Sequence, residues 1–169
     1  CKIGWIGSPA PVHYLQALGP MLRQVDARRP IQVICVGGGP LQLEGVPVES
    51  RPWTEATEAQ EIRRFDIGVM PLGDGEWEKG KCGYKLIQYM ASGIPVVGSR
   101  VGANREIVAA AEDGLLAGTD PEWRMALESL MQDTSLCRRL AAAGRRKVEQ
   151  GYSVQARLGD LAAILRSPG

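Results

Sequence analysis

The stretch Gly80-Lys81-Cys82-Gly83-Tyr84-Lys85 carries the densest set of groups that could do chemistry. Two lysines in a glycine-framed segment, followed by apolar residues at helical spacing, read as a helix start. There, unpaired N–H groups and the positive end of the helix dipole favour an anion. Read as helix, Lys81, Lys85 and Gln88 share one face, and Leu86, Ile87, Met90 and Ala91 form the opposite, core-facing stripe. Two ammonium groups at such a start would neutralise much of a diphosphate's charge. Gln88, one turn on, could hydrogen-bond a hydroxyl of whatever the phosphate carries. A solvated lysine face on a surface helix gives the same spacing, and both readings stand at this point.

Other segments offer less. Gly37-Gly38-Gly39-Pro40 follows a strand-like run but fails the G-x-G-x-x-G pattern, because Gln42 stands where the third glycine belongs. Val101-Gly102-Ala103-Asn104 could be another anion-facing helix start or a plain Asn cap. Trp53, after Arg51-Pro52, could wall a nucleobase pocket or simply pack in the core. Trp77 lies in the acidic loop Gly73 to Glu78 and suits a lid, a partner contact or neither; His13 could touch a ligand or face solvent. The run Arg138, Arg139, Arg145, Arg146 and Lys147 reads as a solvated helix face more readily than as a membrane-binding one, since no aromatic-rich apolar face accompanies it. No nucleophile–histidine–carboxylate set and no P-loop is present.

These residues need a scaffold. The pattern alternates short apolar runs with amphipathic stretches. Strands are predicted over residues 2–7, 31–36, 46–49, 65–72 and 94–98, with a last short one at Leu115-Leu116. Helices are predicted over 12–25, after a Thr54 cap, over 84–92 and 103–111, and over most of the chain from Pro121, broken near Asp133 and Gly151. Such alternation indicates βαβ units: an α/β fold with a Rossmann-like parallel β-sheet, helices on both faces and a helical C-terminal segment. Ligands of open parallel sheets bind outside the carboxyl ends of the strands. That directs attention to the loops at Gly7-Ser8, Gly37–Gly39, Arg51–Trp53, 72–81 and 99–104.

Composition agrees. The 169 residues carry 20 basic and 19 acidic side chains, a formal charge of +1, which argues against a nucleic-acid partner. No apolar run approaches the roughly 18 residues a membrane span needs. Four dispersed cysteines and a single histidine leave little material for a zinc site, and suggest free thiols in a cytoplasmic setting. The chain opens directly into the apolar run Ile3-Gly4-Trp5-Ile6, which reads as one domain excised from a larger protein.

Several segments, in order, resemble the C-terminal half of a GT-B glycosyltransferase of the retaining group 1, or family 4, type. They are Gly4–Ser8, Val36–Pro40, Phe65–Leu72, the block Lys81–Val97 with Gln88-Tyr89-Met90-Ala91-Ser92-Gly93-Ile94-Pro95, Val101-Gly102 with Glu106-Ile107-Val108, Gly114-Leu115-Leu116, and Tyr152-Ser153. The resemblance implies a nucleotide-sugar donor (a UDP-, GDP- or ADP-sugar) held by Gly7, Ser8, Gly39, Pro52, Trp53, Lys81, Cys82, Gly83, Tyr84, Lys85 and Gln88. It implies metal-independent transfer with retention, no cofactor, and a carbohydrate or lipid-linked acceptor held by a separate N-terminal domain. For the whole protein it allows peripheral contact with the inner face of a membrane. A GT-B epimerase and a non-catalytic nucleotide-binding module share most of these features. The family's paired glutamates of the Glu-x7-Glu motif fall here on Gly80 and Gln88, and its basic residues after the first strand are replaced by Ser8-Pro9-Ala10-Pro11-Val12-His13.

Overall fold

In the computed structural model, which describes residues 1–158, six parallel strands form one sheet. In chain order the elements are β1 Lys2–Ile6, α1 Val12–Ala17, α2 Gly19–Asp26, β2 Gln32–Val36, β3 Val48–Arg51, α3 Glu58–Ile62 and β4 Ile67–Met70. Then follow α4 Glu76–Lys79, α5 Tyr84–Ala91, β5 Val96–Ser99, α6 Asn104–Ile107, β6 Leu115–Ala117, α7 Asp120–Gln132 and α8 Thr134–Gly151. The chain is helical again over 154–158. The spatial order is β3-β2-β1-β4-β5-β6, so the chain reverses its direction of travel across the sheet between β1 and β4.

The strands are apolar almost throughout because both faces are covered. Alternate residues Ile3, Trp5, Val33, Cys35, Ile67 and Val69 face α1, α2 and α7, whose Leu15, Met21, Leu22, Trp123 and Leu127 complete one core. Ile6, Ile34, Val36, Met70 and Val96 face the other way, toward Ile62 of α3, Leu86, Tyr89 and Met90 of α5, and Val148 of α8. The helical tail is anchored locally: Thr119 and Glu122 form a capping box at the head of α7, and the Asp133 side chain caps α8 through Leu136 N–H.

Several local expectations need correction. The helix predicted over 12–25 is two helices, because Pro20 cannot supply the N–H that a continuous helix needs there. Thr54 does not cap α3. It closes a turn with Thr57, which precedes the helix and makes no side-chain cap. The third strand begins at Val48 rather than Val46, and the helix predicted over 103–111 spans only Asn104–Ile107. The buried stripe of α5 is Leu86, Tyr89 and Met90; Ile87 is half-buried and Ala91 exposed. The short α4 was not anticipated. No helix among the described residues is long and apolar enough to cross a membrane.

Candidate functional site

Beyond the carboxyl ends of β1, β2 and β4, a cavity of about 1090 Å³ opens against the start of α5. It lies just above the range of roughly 300–1,000 Å³ typical of small-molecule sites. Gly7, Ser8, Gly39, Pro52, Trp53, Lys81, Cys82, Gly83, Tyr84, Lys85 and Gln88, all picked from the sequence, line this one space. His13 and Trp77 do not. His13 faces solvent, with Nδ1 2.8 Å from the Ala10 carbonyl, and Trp77 is 80% exposed on α4.

The crevice exists because β1 and β4 separate. They pair only at Ile3–Ile67 and Gly4–Gly68. Further along, the Tyr89 hydroxyl fills the gap, accepting from Ile6 N–H at 3.0 Å and donating to the Val69 carbonyl at 3.4 Å. The ring crosses Gly68, where a Cβ would stand 2.5 Å from it. Burial raises the phenol pKa well above the ordinary tyrosine value, so Tyr89 stays protonated and able to serve both strands. Gly37, at φ +77, lets the next loop close in: a Cβ there would lie 2.5 Å from the Gly7 carbonyl oxygen and 2.9 Å from Trp53 Cβ.

Gly83 precedes α5 in the left-handed conformation (φ 66), and no side chain caps the helix. The N–H groups of Tyr84 and Lys85 therefore lack a helical partner, whereas that of Leu86 donates to the Gly83 carbonyl at 3.0 Å. The same left-handed turn takes Lys81 off the helix. It lies in the preceding loop, so its proximity to Lys85 comes from that turn and not from helical periodicity, a correction to the single-face reading. Lys81 Nζ stands 5.0 Å from the centroid of the Tyr14 ring, and Lys85 Nζ 5.4 Å from that of Trp5. Neither lysine forms an ion pair among the described residues. Burial, and then the charge of Lys81, hold the Lys85 pKa below the ordinary lysine value, with Cys82 acting in the opposite direction. Two cations thus rest on aromatic faces without a direct ion pair: Glu78, hydrogen-bonded to Tyr14, acts on Lys81 only through its charge, and Lys85 has no carboxylate partner.

The opposite wall is built differently. Arg51 lines the cavity, yet its guanidinium is committed: Nε and a terminal nitrogen donate to Glu61 at 2.5 and 2.8 Å, and the other terminal nitrogen donates to Glu49 at 2.7 Å. Hydrogen bonding to Arg51 draws the Glu61 pKa below the usual carboxylate value against the opposing effect of burial. This fork ties β3 to α3 and fixes the intervening Pro52-Trp53. Trp53 is 49% exposed, and its Nε1 donates to Glu58 Oε2 at 2.7 Å. Gln88 Nε2 donates to Glu58 Oε1 at 2.6 Å. Glu58, the first residue of α3, lines the cavity and was missed from the sequence. Its only visible signal there, an acidic residue in the first turn of a helix, suggests no more than dipole compensation. Gln88, expected to meet a ligand hydroxyl, has its amide N–H engaged by this carboxylate.

The loop at 73–80 is fastened from two sides. The Tyr14 hydroxyl donates to Glu78, and Gly102 admits the Lys79 carbonyl so closely that a Cβ would stand 2.5 Å from its oxygen. Glu76 pairs with Lys79 at 2.6 Å, so Glu76 and Glu78 both turn to partners outside the cavity. Among the described residues no group of three His, Cys, Asp or Glu side chains is placed to hold a metal ion. The four cysteines are unpaired.

The family profile described as glycosyl transferases group 1 matches residues 2–133. No curated protein sequence matches the chain. Among solved structures, HepE of Anabaena in complex with UDP-glucose is similar over 99% of this chain and 49% of its own, with a TM-score of 0.78 at 18% identity. TarM of S. aureus, in a complex that includes UDP, is similar over 98% of this chain and 35% of its own, with a TM-score of 0.77 at 17% identity. The C-terminal domain of LpcC, a group 1 glycosyltransferase of Francisella tularensis, is similar over 91% of this chain and 87% of its own, with a TM-score of 0.67 at 17% identity. The chain spans about half the length of HepE. At these identities the likeness speaks for the fold, the Rossmann-like C-terminal half of a GT-B architecture.

Proposed function

This chain belongs to the group 1 glycosyltransferases, and on that premise we propose that its cavity binds a nucleotide-sugar donor for metal-independent transfer with retention. The chain is a single donor-binding domain, and a further, N-terminal domain holds the carbohydrate or lipid-linked acceptor. The observation that carries this reading is the pair of lysines, Lys81 and Lys85, that line the cavity without a direct ion pair beside the uncapped start of α5. When the bond from the anomeric carbon to the diphosphate oxygen breaks, the departing nucleoside diphosphate gains charge. In this reading the departing diphosphate lies against the two ammonium groups and the first N–H groups of α5, which line the cavity, and preorganised charge of this kind lowers the barrier without reorganisation. They supply the neutralisation that a divalent cation would otherwise give. Arg51 holds Pro52-Trp53 as the nucleoside wall. The UDP-glucose complex of HepE, which shares this fold, supports the assignment of the ligand class.

A second reading rests on Gly80 and Gln88, which occupy the places of the family's paired glutamates: a module that binds nucleotide or nucleotide sugar without turning it over. A transfer and hydrolysis assay on the protein with its acceptor domain separates the two. For binding itself, thermal unfolding of the 169-residue chain is followed with UDP, GDP, ADP and their sugars. A ligand at a hundred times its Kd stabilises by about 2.7 kcal/mol. At least one compound is expected to raise Tm; a panel in which none does so, at millimolar concentration, overturns the proposal.

A further inference from the structure

The wall opposite the lysines presents a carboxylate to a space otherwise arranged for an anion. Glu58 is the one carboxylate lining the cavity among the described residues. Its placement is built: Oε2 accepts from the Trp53 indole at 2.7 Å and Oε1 from the Gln88 amide at 2.6 Å. The two donors come from the β3–α3 loop and from α5, so the carboxylate is held from both sides of the crevice. A carboxylate has about four acceptor positions and no donor when ionised. Two are taken, and one on each oxygen is left.

A charge-bearing acceptor in an anion site repels the ligand unless the part of the ligand nearest to it donates hydrogen bonds. Gln88 lies one turn along α5 from Lys85, about 4.5 Å in rise. Glu58 therefore sits on the side of the diphosphate away from the helix start. The exposed indole of Trp53, hydrogen-bonded to the same carboxylate, offers a flat apolar surface suited to a nucleobase. Between a base on Trp53 and a diphosphate at Lys81 and Lys85 lies the ribose, whose two adjacent hydroxyls match two carboxylate oxygens, each with a free lone pair.

We infer that Glu58 is the ribose-reading residue of this site: its carboxylate accepts from the vicinal hydroxyls of a ribonucleoside diphosphate, with Trp53 and Gln88 fixing its orientation. The inference rests on the proposed nucleotide-sugar reading and adds to it a selectivity for ribose. Sugar hydroxyls beyond the diphosphate are the other diol source, and a ligand without a sugar removes them from the comparison.

The test is calorimetric titration of the 169-residue chain with the best-binding nucleoside diphosphate of UDP, GDP and ADP, and with its 2′,3′-dideoxy counterpart. The ribonucleotide is expected to bind at least about tenfold tighter, since a lost hydrogen bond to a charged group is worth that much or more. Glu58→Ala should bring the ratio to within about twofold. Lys85→Ala should weaken both ligands and leave the ratio near its wild-type value. Gln88→Ala should keep most of the ratio, because Gln88 braces the carboxylate and does not replace it. Equal affinity for the two ligands in the wild type overturns the inference while leaving the nucleotide site standing. So does a ratio that survives Glu58→Ala or that collapses only in Gln88→Ala. Binding of neither ligand overturns both the inference and the reading beneath it.

Discussion

Replacing Lys85 with methionine should raise the stability of the unliganded chain and weaken its hold on a nucleoside diphosphate. Lys85 crosses from α5 to the Trp5 ring, with its stem so close to Gly7 that a Cβ there would lie 2.8 Å from Cε. Methionine keeps the unbranched stem and a sulfur contact with the indole. What it removes is the charge. That charge is unfavourable in the free protein, since burial and then Lys81 lower its pKa from 10.5. A lysine whose pKa is lower in the folded than in the unfolded state subtracts stability. The loss is complete below the folded pKa and fades only as pH rises toward 10.5. The cation–π contact returns about 0.5–2 kcal/mol of it, so the net gain in the variant is smaller than the desolvation cost.

With ligand the sign reverses. Two unit charges about 4 Å apart attract by about 4 kcal/mol at the effective dielectric typical near a protein surface. Part of this is spent in dehydrating the phosphate, which leaves about 1.4–2.8 kcal/mol, or ten- to a hundredfold in Kd. Calorimetric titration gives the affinity, and thermal unfolding without ligand at pH 7 and pH 10 gives the stability. The variant's Tm should exceed wild type at pH 7 by more than at pH 10. An affinity within about twofold of wild type, or a fall in Tm that parallels the affinity loss, would refute the account of Lys85 as a cation held ready for an anion.

Two further substitutions probe the frame of the cavity. Tyr89→Phe leaves the Ile6 N–H, buried where β1 and β4 part, without an acceptor; it should cost about 1–3 kcal/mol in urea unfolding, and an unchanged midpoint would show that water or a strand shift replaces the phenol. Arg51→Ala leaves Glu61, whose side chain is 11% exposed, with only the 3.9 Å contact to Arg64, and should lower the urea midpoint at pH 7. Because Arg51 lowers the Glu61 pKa, the wild-type pair contributes stability above the ordinary carboxylate value of 4.5 and loses it as pH falls through the lowered one. The gap between variant and wild type should therefore narrow toward pH 3, and a gap independent of pH would show that the fork does not act through ionised Glu61.

The fold was readable because it rests on local patterns. Gln32–Val36 is a β-branched run between glycine and proline signals, and the opening of α5 carries its glycine in the sequence. Where the reading erred, a single residue within the segment decided the matter. Pro20 divides the first helix, and Gly83 in the left-handed conformation, invisible as such in the letters, takes Lys81 off the face it was assigned to. Glu58 was beyond reach for a different reason. Its partners Gln88 and Trp53 lie thirty residues and five residues away along the chain, and the thirty-residue contact forms only when α3 and α5 pack on the same face of the sheet. Arg51 shows the converse: a basic residue beside a candidate site is already spent on Glu61 and Glu49.

These two outcomes divide the cavity by charge. On the β3 side every ionisable group has its counter-charge or its donors: Arg51 with Glu61 and Glu49, Glu58 with Trp53 and Gln88. On the α5 side the lysines rest on aromatic rings without a direct ion pair, and the hydroxyl of the ring beneath Lys81, that of Tyr14, gives its hydrogen to Glu78, whose charge reaches Lys81 from outside the cavity. An ion pair formed within the protein at Lys81 or Lys85 would stabilise the free chain, but an anion would have to break it before binding. Leaving the cations on π faces gives a smaller attraction, about 0.5–2 kcal/mol, which a diphosphate can exceed without displacing any carboxylate. The asymmetry also sets the ligand's direction: its most negative part must face α5, and the part that donates hydrogen bonds must face β3.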